Sequence, residues 1–103
     1  MAIARVVTAR CLPGKVDEFI TGLGEVKKIL EGHGSRVSFY RGVAGGTPNT
    51  VLIVSEVDDW ASFGEISAKV SADASWQAIE RRIVDDPSAE ILSSEIIQQF
   101  EIP

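Results

Sequence analysis

Four polar side chains in this chain combine useful chemistry with a suggestive setting: His33, Tyr40, Arg41 and Glu56. His33 lies between Gly32 and Gly34, just after an apolar-periodic segment. It is either a solvent-exposed residue following a helix or a group that the glycines turn towards a cleft. In a cleft, its ordinary pKa of about 6.5 suits proton transfer. Tyr40 can position a ligand oxygen. Arg41 and Glu56, like Arg5, interrupt apolar runs, and a charge set into a sheet needs a partner. They form edge or interface salt bridges, or else an arginine holds a ligand carboxylate or phenolate while Glu56 acts as base. Trp60 and Phe63 either wall a pocket for a planar ligand or fill the core. Trp76 is a further ligand-contact candidate, although Trp76, Ile79 and Ile83 form the regular stripe expected of core.

Other chemistries find little support. One cysteine, Cys11, and one histidine give no basis for a metal site or an internal disulfide. Cys11 reads as small apolar filler. The segment GVAGG joins two strand-like runs rather than opening a helix, so it is not a phosphate loop, and no cofactor is expected. A net charge of −5 with scattered Lys and Arg argues against a nucleic-acid partner. No run approaches the roughly 20 apolar residues of a membrane span. MAIARVVTAR lacks the long apolar stretch of a signal peptide, so the expected location is cytoplasmic.

The elements that must position these residues are legible as periodicities. At 103 residues, with 45% apolar and 24% charged, the chain is long enough for one domain with one modest core, spanning 1–103. Residues 3–12 are rich in β-formers and predict a strand. Pro13-Gly14 then opens a helix whose stripe is Val16, Phe19, Ile20, Leu23, Val26 and Leu30, ended by Gly32 and Gly34. Strands are predicted over 36–43 and 50–57, joined by AGGTPNT as a hairpin. Asp58 or Asp59 caps a helix carrying Trp60, Phe63, Ile66 or Ser67, and Val70; Asp73 caps another, ended by Asp86-Pro87. The last run, AEILSSEIIQQFEI (89–102), predicts a strand with a polar middle. The order β-α-β-β-α(α)-β is the ferredoxin-like pattern, an α+β fold with helices on one face of a four-stranded antiparallel sheet.

The strand faces raise the question of a partner. A sheet face in water shows clean alternation, whereas here Leu52 and Val54 oppose Val51, Ile53 and Val57, and Val6 opposes Val7. Contiguous apolar surface of that kind marks an interface. The simplest cover is the same face of a second copy, giving a homodimer. The alternative is a monomer whose extra apolar residues lie on edge strands.

The residues also carry a resemblance. ARVVTARCLPGKVDEFI resembles the opening strand, Pro-Gly-Lys turn and first helix of the dimeric α/β-barrel superfamily. VLIVSEVDDWASFGE is similar to its third strand and aromatic-headed second helix. SADASWQAIERRIVDDPSAEILSSEII resembles the Trp-containing helix and closing strand of the NIPSNAP-like and antibiotic-biosynthesis-monooxygenase-like branches. The resemblance implies a cleft between sheet and helices for a small aromatic or apolar molecule, with Trp60 at the head of the second helix. It implies either a cofactor-free monooxygenase-like or isomerase-like enzyme, or a non-catalytic, stress-associated dimeric module. ASFGEISAKVSAD lacks the histidine that the monooxygenase and haem-degrading branches place there, so haem is not implied.

Overall fold

The computed structural model describes all residues, 1–103. Strand β1 (Ile3–Cys11) leads through Pro13-Gly14 into helix α1 (Val16–Gly32), then β2 (Arg36–Arg41), β3 (Thr50–Val57), α2 (Trp60–Ala72), α3 (Ala74–Asp85) and β4 (Ala89–Gln98). The four strands form one sheet in the order β2-β3-β1-β4, every neighbour antiparallel. This is the ferredoxin-like α+β arrangement.

Local chemistry explains the boundaries. Asp17 and Glu18 complement the dipole in the first turn of α1. Gly34 takes φ +106°, a conformation other residues rarely adopt, and turns the chain back into β2. The Asp59 side chain accepts the Ser62 N–H at 2.7 Å and caps α2. Those backbone bonds hold its carboxyl below the ordinary aspartate range. Three strands are shorter than their sequences suggest, β1 ending at Cys11 and not at 12. β2 stops at Arg41 and not at 43, and β4 stops at Gln98, which pairs with Ile3 at the very start of β1. Beyond that point there is only one more bond, in which the Gln99 N–H donates to the carbonyl of Ala2, just before β1.

β4 contains a feature that its sequence hides. Thr8 pairs with Ser93 but Ala9 pairs with Ile91, so Leu92 is bulged out. The bulge reverses the alternation. Ala89 and Ile91 share the face of Ala9, whereas beyond the bulge Ser94 and Ile96 do so and Ile97 turns to the opposite face.

The core lies on the helix side. Ala9, Phe19 and Leu23 form its centre, with Cys11, Val51, Ile53 and Ala89 packed around them. Cys11 packs against this core but is only half-buried. The other sheet face carries Ala4, Val6, Leu52, Val54, Tyr40 and Ile97 together with Thr8, Ser38, Ser93 and, on the edge strand opposite Val6, Glu95, with nothing layered over it. Cross-strand ion pairs flank this apolar centre: Arg10–Glu90 at 2.6 Å and Arg36–Glu56 at 2.8 Å. Tyr40 is 58% and Ile97 50% exposed. The molecule is a plate only 17 Å thick in its shortest dimension. Its accessible surface of 6885 Å² exceeds by about 1,200 Å² the roughly 5,700 Å² typical of a folded monomer of 11.1 kDa.

Candidate functional site

A largely apolar cavity of about 380 Å³ opens between α1 and α3 above the sheet. Its floor is Ala9, Ile53, Ala89 and Ile91. Its walls are Phe19, Leu23 and Val26 of α1 and Ile79 and Ile83 of α3. Each wall is a helical stripe at three- and four-residue spacing. What keeps the walls apart is partly compositional: α1 places Gly22 on this inner face, and a Cβ there would meet nothing within 4 Å.

Two sets of ion pairs bridge the helices across the cleft. The Arg82 guanidinium donates to Glu25 at 2.5 Å. Lys15 reaches both Glu18 and Asp86 at 3.4 Å. The hydrogen bond to Glu18, then the charge of Asp86, hold the Lys15 ammonium above its ordinary pKa. These are exposed pairs, so they position the helices more than they stabilise the fold.

Beyond the Glu25–Arg82 pair lies a second, more open and polar cleft, lined by Lys28, His33, Asp73 and Ser75 among others. His33 is not free in solvent here. Its Nε2 lies 2.8 Å from Asp73 Oδ2, and both side chains are one-quarter exposed. An ionised carboxylate only accepts, so Nε2 carries the hydrogen and donates it to Asp73. The other oxygen of Asp73 accepts the Ser75 and Trp76 N–H groups and caps α3. One carboxylate thus ties the end of α1 to the start of α3. Its pKa is held below the ordinary value, first by His33 and then by the Ser75 N–H.

That shift has a sign that can be tested. A carboxyl depressed on folding contributes stability in full above its unfolded value, near 3.8, and loses it as pH falls through the lower folded value. Asp73→Asn is expected to lower Tm at neutral pH and to flatten the acid limb of the Tm–pH profile. An unchanged acid limb, measured by thermal denaturation between pH 2 and 6, would show that this pair contributes nothing.

The other residues singled out in the sequence are dispersed. Trp60 is 54% exposed and meets Phe63 edge-to-face, centroids 5.6 Å apart. The Arg5 guanidinium lies over the Phe63 ring at 5.6 Å. Arg5, Phe63 and Trp60 therefore form an aromatic shelf over β1, separate from the α1–α3 cavity. Trp76 is half-buried and outside that cavity; Arg41, at the end of β2, is exposed and also outside it. Glu56 pairs with Arg36, not with Arg5 or Arg41, on the uncovered sheet face that also carries Tyr40. Glu25 and Arg82 carry no local sequence signal; they meet only because the helices run side by side. Gly22 was the available clue, a glycine set into an apolar stripe.

The two-layer architecture and sheet order define a ferredoxin-like α+β protein with a cleft between helices and sheet. Among solved structures, an uncharacterized NIPSNAP domain protein from Burkholderia xenovorans matches with a TM-score of 0.71 at 26% identity, covering 97% of this chain and 95% of that one. An uncharacterized NIPSNAP-like domain protein from the same organism matches at 0.73 and 17% identity, covering 99% and 88%. A putative antibiotic biosynthesis monooxygenase from Chloroflexus aurantiacus J-10-fl shares the fold at 0.60 and 15% identity, covering 100% and 97%. The chain thus has the fold of the NIPSNAP-like and monooxygenase-like branch that its sequence resembles. No protein-family model and no curated protein sequence matches it. No helix is long and apolar enough to cross a membrane.

Proposed function

We propose that this protein is a homodimer that binds a small, largely apolar molecule between α1, α3 and the sheet. The observation that carries the ligand reading is the cavity itself. Its volume of about 380 Å³ falls in the range of small-molecule sites, roughly 300–1,000 Å³, and nine of its 17 lining residues are hydrophobic. Binding rather than catalysis is favoured because the cavity lining holds no histidine, tyrosine or cysteine. The catalytic candidates Tyr40, Arg41 and Glu56 lie elsewhere, and His33 faces the adjoining cleft. The proton acceptors that line the cavity are the carboxylates of Asp17, Glu18, Glu25 and Asp86, three of them engaged in ion pairs, while His33 lies beyond the Glu25–Arg82 pair.

Dimerisation is supported by the uncovered sheet face, whose apolar centre and charged flanks match the anatomy of protein interfaces. The surface excess of about 1,200 Å² is sufficient for the roughly 800 Å² that each partner buries in a standard interface.

The ligand reading is tested by titrating 2-naphthylmethanol, a neutral aromatic probe, and following methyl resonances by NMR. Shifts are expected to cluster on Ala9, Leu23, Ile53 and Ile79. Shifts confined to the neighbours of Trp60 and Phe63 would move the site to the aromatic shelf. Absence of saturable shifts would remove the reading.

A further inference from the structure

The cleft between α1 and α3 is charged as well as apolar, and its charge balance selects among apolar ligands. Its lining contributes four carboxylates, Asp17, Glu18, Glu25 and Asp86, and one cation, Arg82. Arg82 is already engaged by Glu25. The neighbouring Lys15 ammonium is shared between Glu18 and Asp86. Asp17 takes part in no ion pair. Four carboxylates against two cations leave two negative charges uncompensated, at the end of the cleft where α1 begins and α3 ends. Those two helix ends carry partial charges of opposite sign that offset one another, so the side chains set the local field. The chain's net charge of −5 acts in the same direction over longer range.

We infer that the cleft is built for a hydrophobic amine, with the apolar body on Ala9, Ile53 and Ile79 and the ammonium beside Asp17 and Asp86. This rests on the ligand-binding reading of the same cleft and adds the sign of the ligand's charge. An ammonium supplies the missing cation. A carboxylate of the same shape meets Asp17 and Asp86, or must displace Glu25 from Arg82 and leave that acid without its partner. The groups are solvent-accessible, so the preference is moderate and sensitive to salt.

The test compares three probes sharing one ring system: 2-naphthylmethylamine, 2-naphthylmethanol and 2-naphthoate, each titrated calorimetrically at 20 mM and 500 mM NaCl. At low salt the amine is expected to bind about 10-fold tighter than the naphthoate, with the alcohol between them. The gap is expected to narrow at high salt. Asp17→Asn, at an exposed position without an ion pair, should weaken the amine several-fold more than it weakens the alcohol, so that the ratio of their affinities falls. Asp86→Asn should do the same, although it also frees Lys15. Binding of the alcohol with no preference for the amine overturns the charge inference and leaves the cavity reading standing. An amine preference that survives both asparagine variants overturns its assignment to these carboxylates. Failure of all three probes to bind overturns the cavity reading and the inference together.

Discussion

Val54→Glu is expected to convert a dimer into a monomer, seen by sedimentation equilibrium as a fall from twice 11.1 kDa to 11.1 kDa at micromolar protein. Val54 pairs with Val6 on one side and Ser38 on the other, in the middle of the uncovered sheet face. In a two-fold interface every substitution appears twice, so one change buries two carboxylates. Each buried, unpaired charge costs several kcal/mol, and together they should raise the dissociation constant by on the order of 10³-fold or more. The ion pairs Arg10–Glu90 and Arg36–Glu56 are already satisfied within the sheet, so neither arginine is free to neutralise the new acids. Val84→Glu provides the control. Val84 is also exposed, but it lies on α3, away from the sheet face, and its substitution should leave the dimer intact. A wild-type monomer at micromolar concentration, or a Val54→Glu dimer, would remove the proposed interface.

The particular residues show why the fold was more legible than the site. Helix α1 was readable because Phe19, Leu23 and Val26 repeat with the helical period and Pro13-Gly14 and Gly34 bracket them. The hairpin was readable because AGGTPNT separates two β-rich runs. The Asp58-Asp59 pair and Asp73 announced the starts of α2 and α3 by residue type alone, although only the structure chooses Asp59 over Asp58, since few other side chains can accept those orphan N–H groups. These are local signals, written within a few residues of the structure they specify.

The cleft has a different origin. Glu25 and Arg82 are 57 positions apart, and His33 and Asp73 are 40 apart. Each pair exists only because α1 and α3 lie side by side over one sheet. A sequence reading attends to conspicuous residues, and so it favoured the aromatics Trp60 and Phe63, whose ring pair forms the separate shelf with Arg5. The bulge at Leu92 was likewise hidden, because ILSSEII reads equally well in either register until the pairing with β1 is known. What a cavity requires is absence of side-chain volume, and absence is a faint signal. Gly22 is where it was written.

Gly22→Leu therefore gives the sharpest test of whether that space serves a ligand. Glycine in a helix interior costs about 1 kcal/mol relative to alanine, and leucine has nearly alanine's propensity. The position is unobstructed: its backbone is not in the positive-φ region, and an added Cβ meets nothing within 4 Å. A leucine there can settle against the apolar walls of the cleft and gain burial as well as helix propensity. The expected result is a protein more stable by about 1 kcal/mol, with Tm raised by roughly 4–8 °C, that no longer binds 2-naphthylmethanol. Gly24→Ala separates the two effects. Gly24 is equally unobstructed but does not line the cavity, so its substitution should raise Tm while leaving binding unchanged. Opposite movement of stability and affinity at Gly22, but not at Gly24, identifies a glycine kept for the space it leaves. If Gly22→Leu binds the probe as well as the wild type does, the ligand does not occupy this cleft. Loss of stability instead would mean that the walls are already closed against one another, and that the space between α1 and α3 is packing rather than a site.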